Sequence, residues 1–381
     1  MEDLPGKSSP GEILRLFLRL GLTAFGGPAA HIGLMEREAV ERRGWMSRAR
    51  FLDLVGACNL LPGPGSTQVA MALGYSRGGW IGLLIAGGCF ILPASLATLA
   101  LAWVYVRYGS LPQAQGLLYG AKPVMVAVIV QAVWNLGRRA WRNGALALAG
   151  LAGLAAVVAG APAIAVLLAS GGLMILLAWR RSNVRTSHGI VALPLNLSGA
   201  AAGAAGAIGL GSIFFVFLKF GVVVFGSGYV LLAFLKADLV DRLHWITEPQ
   251  LLDAITAGQV TPGPVFATAT FLGFLLHGFA GAALATLAIF LPSFLMAGLV
   301  GAFAERIRQS RLAGAFLDGV NAAAVALMAF VALTLGRGAL VDGWAWGLGL
   351  GSAPLLIWSR INSAWLILAG AAIGMLLRRF S

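Results

Sequence analysis

Apolar residues run along this chain almost without interruption, and the polar ones gather in short clusters between the runs. The long apolar stretches are 80–103, 124–136, 145–161, 163–179, 278–303, 322–335 and 364–377. Several reach the ~20 residues that carry a helix across a ~30 Å hydrocarbon core. Polar breaks near 109–112, 138–143, 160–162, 306–311, 336–343 and 359–362 mark the connections between them. Two further apolar segments, 11–35 and 212–235, each predict one long helix, followed by charged amphipathic connectors at 36–50 and 236–250. After each connector comes a unit interrupted at Pro-Gly-Pro. Its first pair of arms, 51–61 and 65–76, spans only about half a bilayer per arm, ~16–18 Å at 1.5 Å per residue.

The pattern occurs twice. Phe17-Leu18-Arg19-Leu20-Gly21 returns as Phe217-Leu218-Lys219-Phe220-Gly221, and Phe25-Gly26-Gly27 as Phe225-Gly226-Ser227. Trp45 matches Trp245, Asp53 matches Asp253, and Pro62-Gly63-Pro64 matches Pro262-Gly263-Pro264; 14 of the 48 positions from Phe17 to Pro64 are identical at an offset of 200. One residue is then lost, so Gly74 pairs with Gly273, Pro93 with Pro292, and Gly120 with Gly319. Duplicated apolar halves with broken helices in matching positions are the pattern of a membrane transporter. The halves are assigned to 1–182 and 212–381, with 183–211 as a linker or an extra weak span.

Charge bias orients the halves. The connector 36–50 holds five Arg and three Glu, net +2, whereas 236–250 holds two basic and three acidic residues, net −1. Arg138, Arg139 and Arg142 face only Arg337 and Asp342 in the matching loop, while Arg107 stands alone against Arg306, Arg308 and Arg311. Bias that alternates between equivalent loops predicts halves inserted upside down relative to each other. The expected fold is an all-α polytopic membrane protein of two inverted-topology repeats, each with about five transmembrane helices plus a re-entrant helical hairpin broken at Pro-Gly-Pro. That reading gives ten crossings and two re-entrant units; full crossings at each break, with a linker span, would give thirteen.

Composition agrees. The chain of 381 residues is 59% hydrophobic and 11% charged, with a mean hydropathy of +0.87, too little polar surface for a soluble domain. The net charge of +13 sits mostly in short connectors, which is orientation rather than nucleic-acid binding. Cys58 and Cys89 are expected to pack as small hydrophobes, and the four His do not cluster for a metal. No phosphate-binding Gly-rich loop ending in Lys-Ser/Thr is present, so no cofactor is expected and transport would draw on gradients. The start of the chain, acidic and polar, does not read as a signal peptide.

Candidate chemistry follows the repeat. Arg19 and Lys219 hold the same position in the first helix of each half, and Lys219 is the only charge in 213–225. A cation at that depth is costly unless it snorkels, pairs or serves a site; snorkelling is the plain reading for Arg19, with Arg15 one turn earlier. Two matched cations suit a dianion. Half-helices beginning at Pro64 and Pro264 aim backbone donors at negative charge. Gly26, Gly27, Pro62, Gly63, Gly65, Ser66, Thr67 and Gln68 in one half, with Gly226, Ser227, Pro262, Gly263, Thr268 and Thr270 in the other, complete the candidate substrate site. Lys122, whose repeat mate is Asn321, reads equally as a third cation or as an interfacial anchor. Asp53 and Asp253 read as helix N-terminal residues or partners of a connector Arg, or more sharply as proton-coupling carboxylates. His31 has Leu231 as its mate and reads as a connector residue.

The block Phe25-Gly26-Gly27-Pro28, the connector ending in Trp45, the Asp53 helix, Leu61-Pro62-Gly63-Pro64-Gly65 and their second-half echoes resemble the chromate ion transporter family in its two-domain, long-chain form. The resemblance implies a secondary transporter of a divalent tetrahedral oxyanion: chromate moved outward across a bacterial inner (plasma) membrane, giving chromate resistance, with sulfate as competitor. It implies no catalytic residues and no metal; a homodimer is compatible with it. The second half departs from the pattern at Ser227-Gly228. The rival reading is an intramembrane enzyme acting on a lipid phosphate, which would need a nucleophile or an acid/base pair that the motifs do not supply.

Overall fold

The computed structural model describes residues 8–181, 208–225, 228–308, 311–359 and 361–379. The linker at 182–207, and with it the extra-span reading, lies outside the described residues, as do Gly226 and Ser227. The first half forms α1 (Pro10–Thr23), α2 (Gly27–Glu36) running into a π-helical turn (Arg37–Arg42), α3 (Arg48–Asn59), α4 (Gly65–Tyr108), α5 (Pro112–Ala140), α6 (Gly144–Val158) and α7 (Ala163–Arg181). The second forms α8 (Leu210–Val223), α9 (Val230–Leu235) into a π-helical turn (Lys236–Arg242), α10 (Glu248–Val260), α11 (Thr268–Arg308), α12 (Arg311–Ala339), α13 (Gly343–Trp358) and α14 (Ser363–Arg379). Apart from a short 3₁₀ turn at Val265–Ala267, the order repeats element for element, including the π-helical turn.

The single long helices expected over 11–35 and 212–235 are not formed. Helix α1 starts cleanly, with Ser9 accepting the Glu12 N–H, but stops at Ala24, whose backbone is extended. Gly26 and Gly27 then take φ of 100° and 79°, and Pro28 opens α2, where its missing N–H costs nothing. The chain turns back on itself. Arg43 reaches Glu12 at 2.8 Å and Arg19 reaches Glu38 at 2.6 Å, so early residues of α1 face late residues of the returning arm. At 14 residues, ~21 Å, α1 is a half-crossing. Helix α8 stops in the same way at Val224, and Lys219 meets Asp238 where Arg19 meets Glu38. Apolar composition hid the break, because the glycines that cause it are also common in packed membrane helices.

The second arm pair is the expected hairpin. Ser47 and Thr247 cap α3 and α10, the latter in a reciprocal capping box with Gln250. The Arg77 guanidinium lies 5.4 Å from the Trp45 ring centroid, which puts the start of α3 and the end of the first leg of α4 at the same end of the molecule. Both arms of the unit therefore open toward the same end of the molecule. Helix α4 then reverses at Gly78 and Gly79, and α11 reverses at His277 and Gly278, with Gly79 and Gly278 at φ of 60° and 58°.

The outer legs, 80–108 and 279–308, pack on each other at the centre. Trp80 lies against Gly298 and Gly87 against Phe294, so the legs run antiparallel. Around them α5–α7 and α12–α14 interleave: the Trp141 indole donates to the Ala322 carbonyl at 3.1 Å, and Tyr119 donates to Asp342 at 2.6 Å. Trp80, Ile81, Leu84, Leu92 and Leu96 are each more than half exposed, a helical stripe that suits lipid and not water. Helices α4, α5, α7, α11 and α12 each contain a stretch long and apolar enough to cross a bilayer. The protein is an all-α polytopic membrane protein. The first helix of each half is not the long helix expected; it is one arm of a second hairpin.

Candidate functional site

Four helix breaks meet in the interior. They are Ala24–Gly27, Pro62–Pro64, the stretch around Val224 and Tyr229, and Thr261–Pro264. The contacts are reciprocal. Gly63 N–H donates to the Val224 carbonyl at 2.6 Å, and Gly263 N–H donates to the Ala24 carbonyl at 2.8 Å. Each Pro-Gly-Pro thus closes on the broken first helix of the other half, and Pro62 forms an antiparallel bridge with Phe225. Gly63 and Gly263 have φ of 112° and 99°, a region closed to most side chains, and both are buried. A surface turn would show neither the burial nor the crossed pairing.

Hydroxyls and amides line this junction. Ser66, Thr67, Gln68, Thr268 and Ser293 are all at most 3% exposed. A Cβ on Gly63 would stand 2.7 Å from Ser293 Oγ and 2.8 Å from Gln68 Nε2, so both side chains converge on this break. Gln68 Nε2 donates to the Pro62 carbonyl at 2.5 Å. Thr67 Oγ1, Gln68 Oε1, Ser95 Oγ, Thr268 Oγ1 and Ser293 Oγ have no hydrogen-bond partner among the described residues. A buried polar atom left so costs about 1–3 kcal/mol, and several together at one place call for a functional reason. Thr270 is instead satisfied by Thr286, 2.7 Å away. Half-helix α4 begins at Gly65 beside these groups, with Pro64 as its cap, and a short 3₁₀ turn, Val265–Ala267, leads into α11.

His31 belongs to this junction, not to the connector. It is 1% exposed, and its ring bridges the Ala24 carbonyl at 3.1 Å and Ser66 Oγ at 3.2 Å. With Nε2 donating to the carbonyl, Nδ1 accepts from Ser66, and both ring nitrogens are used. Ser293, Ser95 and the Tyr229 hydroxyl, hydrogen-bonded to Gln259, escaped the sequence reading. A hydroxyl next to a mid-span proline, Pro292-Ser293, was the available signal for the first.

The matched cations are elsewhere occupied. Lys219 was read as the lone charge of its helix, but its ammonium is ion-paired with Asp238, which also holds Arg242 at 2.9 Å. Arg19 binds Glu38, which also takes Arg42 at 2.7 Å. The partners sit about twenty residues downstream, on the returning π-helical turn, where a single long helix would have placed them tens of ångströms away. Burial opposes the Glu38 charge, but Arg19 and Arg42 outweigh it and hold its carboxyl below the usual carboxylate range.

Asp53 and Asp253 part company. Asp53 is exposed. Asp253 is 4% exposed and meets no connector Arg: Lys122 Nζ from α5 lies 3.1 Å from Oδ1, and the Tyr105 hydroxyl from α4 donates to Oδ2 at 3.1 Å. Lys122 is therefore neither a free third cation nor a simple interfacial anchor. Among the described residues no three His, Cys, Asp or Glu side chains group as a metal site, and Cys58 and Cys89 are unpaired.

The sequence profile described as chromate transporter matches residues 11–176 and again 211–375. The probable chromate transport protein of Synechococcus elongatus is 33% identical over 340 residues, covering 87% of this chain and 86% of its own. The chromate transport proteins of Cupriavidus metallidurans and Pseudomonas aeruginosa are 32% and 31% identical, covering 95% and 98% of this chain and 91% and 94% of theirs. No solved structure matches.

Proposed function

The chain belongs to the chromate transporter family, and from that premise we propose that it is a secondary transporter moving chromate outward across a bacterial inner membrane, with sulfate competing. It is a transport protein and not an enzyme. The oxyanion binds where the four breaks meet. The observation that carries this is the set of buried, unpartnered hydroxyls of Thr67 and Ser293, beside the Pro-Gly-Pro break at the start of α4, and of Thr268 at the start of α11. Tetrahedral oxygens accept from several donors at once, and the positive end of a half-helix adds favourable potential. Neutral donors hold a dianion without the deep well that a buried cation pair would make, and a transporter must also let go. Arg19 and Lys219 enter this reading as clamps on the re-entrant arms. Gly26 and Gly27 shape the break they occupy.

We assign the two halves, 1–182 and 212–381, to inverted repeats. The antiparallel outer legs support this, as do the exchanged contacts Gly63–Val224 and Gly263–Ala24. Two helices return after α5, so the chain leaves α7 on the face where it entered α1. The face bearing the +2 connector and Arg138, Arg139 and Arg142 is the cytoplasmic one.

Purified protein in proteoliposomes, with no nucleotide present, tests the function. Chromate should move down an imposed gradient and be slowed by excess sulfate. Chromate flux no greater than in protein-free vesicles would overturn the reading.

A further inference from the structure

The carboxylate of Asp253 is held entirely by the other half of the molecule. It projects from α10, in the second half, and both its partners, Lys122 and Tyr105, come from the first. Lys122 approaches Oδ1 at 3.1 Å but without hydrogen-bond alignment, so that oxygen lacks a hydrogen-bond donor. The carboxylate is 4% exposed, whereas the lysine side chain is 22% exposed. The matched first-half position differs: Asp53 is exposed, and the repeat mates of Lys122 and Tyr105 are Asn321 and Ala304.

We infer that Asp253 is a single proton-binding site, and that its protonation opens a latch between α10 and the α4–α5 pair during transport. This deepens the transport reading above and rests on it. While ionised, Asp253 holds Lys122, and α10 cannot move against the other half without leaving a bare charge in an apolar interior. A proton taken from water onto Oδ1 neutralises the carboxyl. Lys122 then keeps its charge at its exposed side, and α10 is free to shift. The proton returns to water when Lys122 rejoins Asp253.

Among the described residues, the other charged groups on elements packed against α10 have other partners or are exposed: Arg77 of α4 lies over Trp45, and Arg138 and Arg139 of α5 are exposed. Glu248, on α10 itself, binds Lys236 of the π-helical turn at 2.9 Å. Asp318 of α12 pairs with Arg142, and Arg378 of α14 lies over Tyr119. Arg107 of α4, His277 of α11 and Arg337 of α12 are exposed.

The test compares wild type, Asp253→Asn and the double variant Lys122→Met with Asp253→Asn, in proteoliposomes and at each pH side by side, so that the titration of chromate itself cancels. Wild-type flux relative to the variants should rise as pH falls, by up to about tenfold per unit while the carboxyl is mostly ionised. Both variants should lose that dependence. A second readout needs no transport. With Cys58 and Cys89 replaced by Ala, a Thr256→Cys probe on α10 should be labelled severalfold faster in the Asp253→Asn background at one fixed pH. Equal labelling, or a variant that keeps the wild-type pH profile, overturns the latch. If the single variant does not fold, the double variant, which leaves no bare charge, decides in the same way. Absence of chromate flux in every protein with the labelling difference intact would count against the transport reading and leave the latch standing.

Discussion

Thr67 and Ser293 show how a residue can be kept at a cost to stability. Each presents a buried hydroxyl with no partner among the described residues. Thr67→Val and Ser293→Ala should therefore leave melting temperature unchanged or raised, by a gain of up to about 1–3 kcal/mol each. Chromate affinity should fall about tenfold per hydroxyl, the worth of one hydrogen bond to a charged group. Calorimetry and flux assays on the same preparations check both. A scaffold residue would lose stability and affinity together. Gly63→Ala tests the same place from the backbone: the φ of 112° costs a side chain about 1–2 kcal/mol, and the new methyl would crowd Ser293 Oγ and Gln68 Nε2. Transport should fall by at least an order of magnitude, with a smaller loss of stability. Glu38 gives a pH signature. Its carboxyl is depressed in the folded protein, so it adds stability above the ordinary glutamate range, near ~4.3, and that stability is lost as pH falls through the lower native value. Glu38→Gln should melt lower at neutral pH, and its deficit should shrink in acid.

At the scale of elements, the hairpin arms are the unit of construction, and the ion pairs across the first hairpin of each half hold them. Lys219→Met alone should lower thermal stability, because it strips Asp238 of one of its two cations; adding Asp238→Asn should restore much of it while transport persists. Thermal melts and flux assays on the three proteins check this. The Pro-Gly-Pro hairpins were legible in sequence, since proline and glycine in an apolar run have few other uses. The breaks at Ala24 and Val224 were not. Val222-Val223-Val224 continues a helical apolar pattern, and Gly26-Gly27 resembles the small residues of ordinary membrane helices. That one unread turn also concealed the partners of Arg19 and Lys219, since the carboxylates are near only once the chain folds back. The Lys122–Asp253 pair was illegible for a different reason: its members are 131 positions apart and the repeat does not preserve it.

At the scale of the molecule, the repeat supplies the symmetry and the departures from it supply the direction. Cysteines placed at Ser47 and Thr247, the matched caps of α3 and α10, should label from opposite sides of the membrane. Labelling from one side would remove the inverted arrangement. The central claim is that neutral groups at the crossed breaks, and not the matched cations, bind the oxyanion. The most direct measurement is apparent chromate affinity in one vesicle preparation for two double variants, Thr67→Val with Ser293→Ala, and Lys219→Met with Asp238→Asn. Affinity should fall by about two orders of magnitude in the first, one for each hydrogen bond lost, and stay near wild type in the second. Wild-type affinity in the first, with affinity lost in the second, would contradict it.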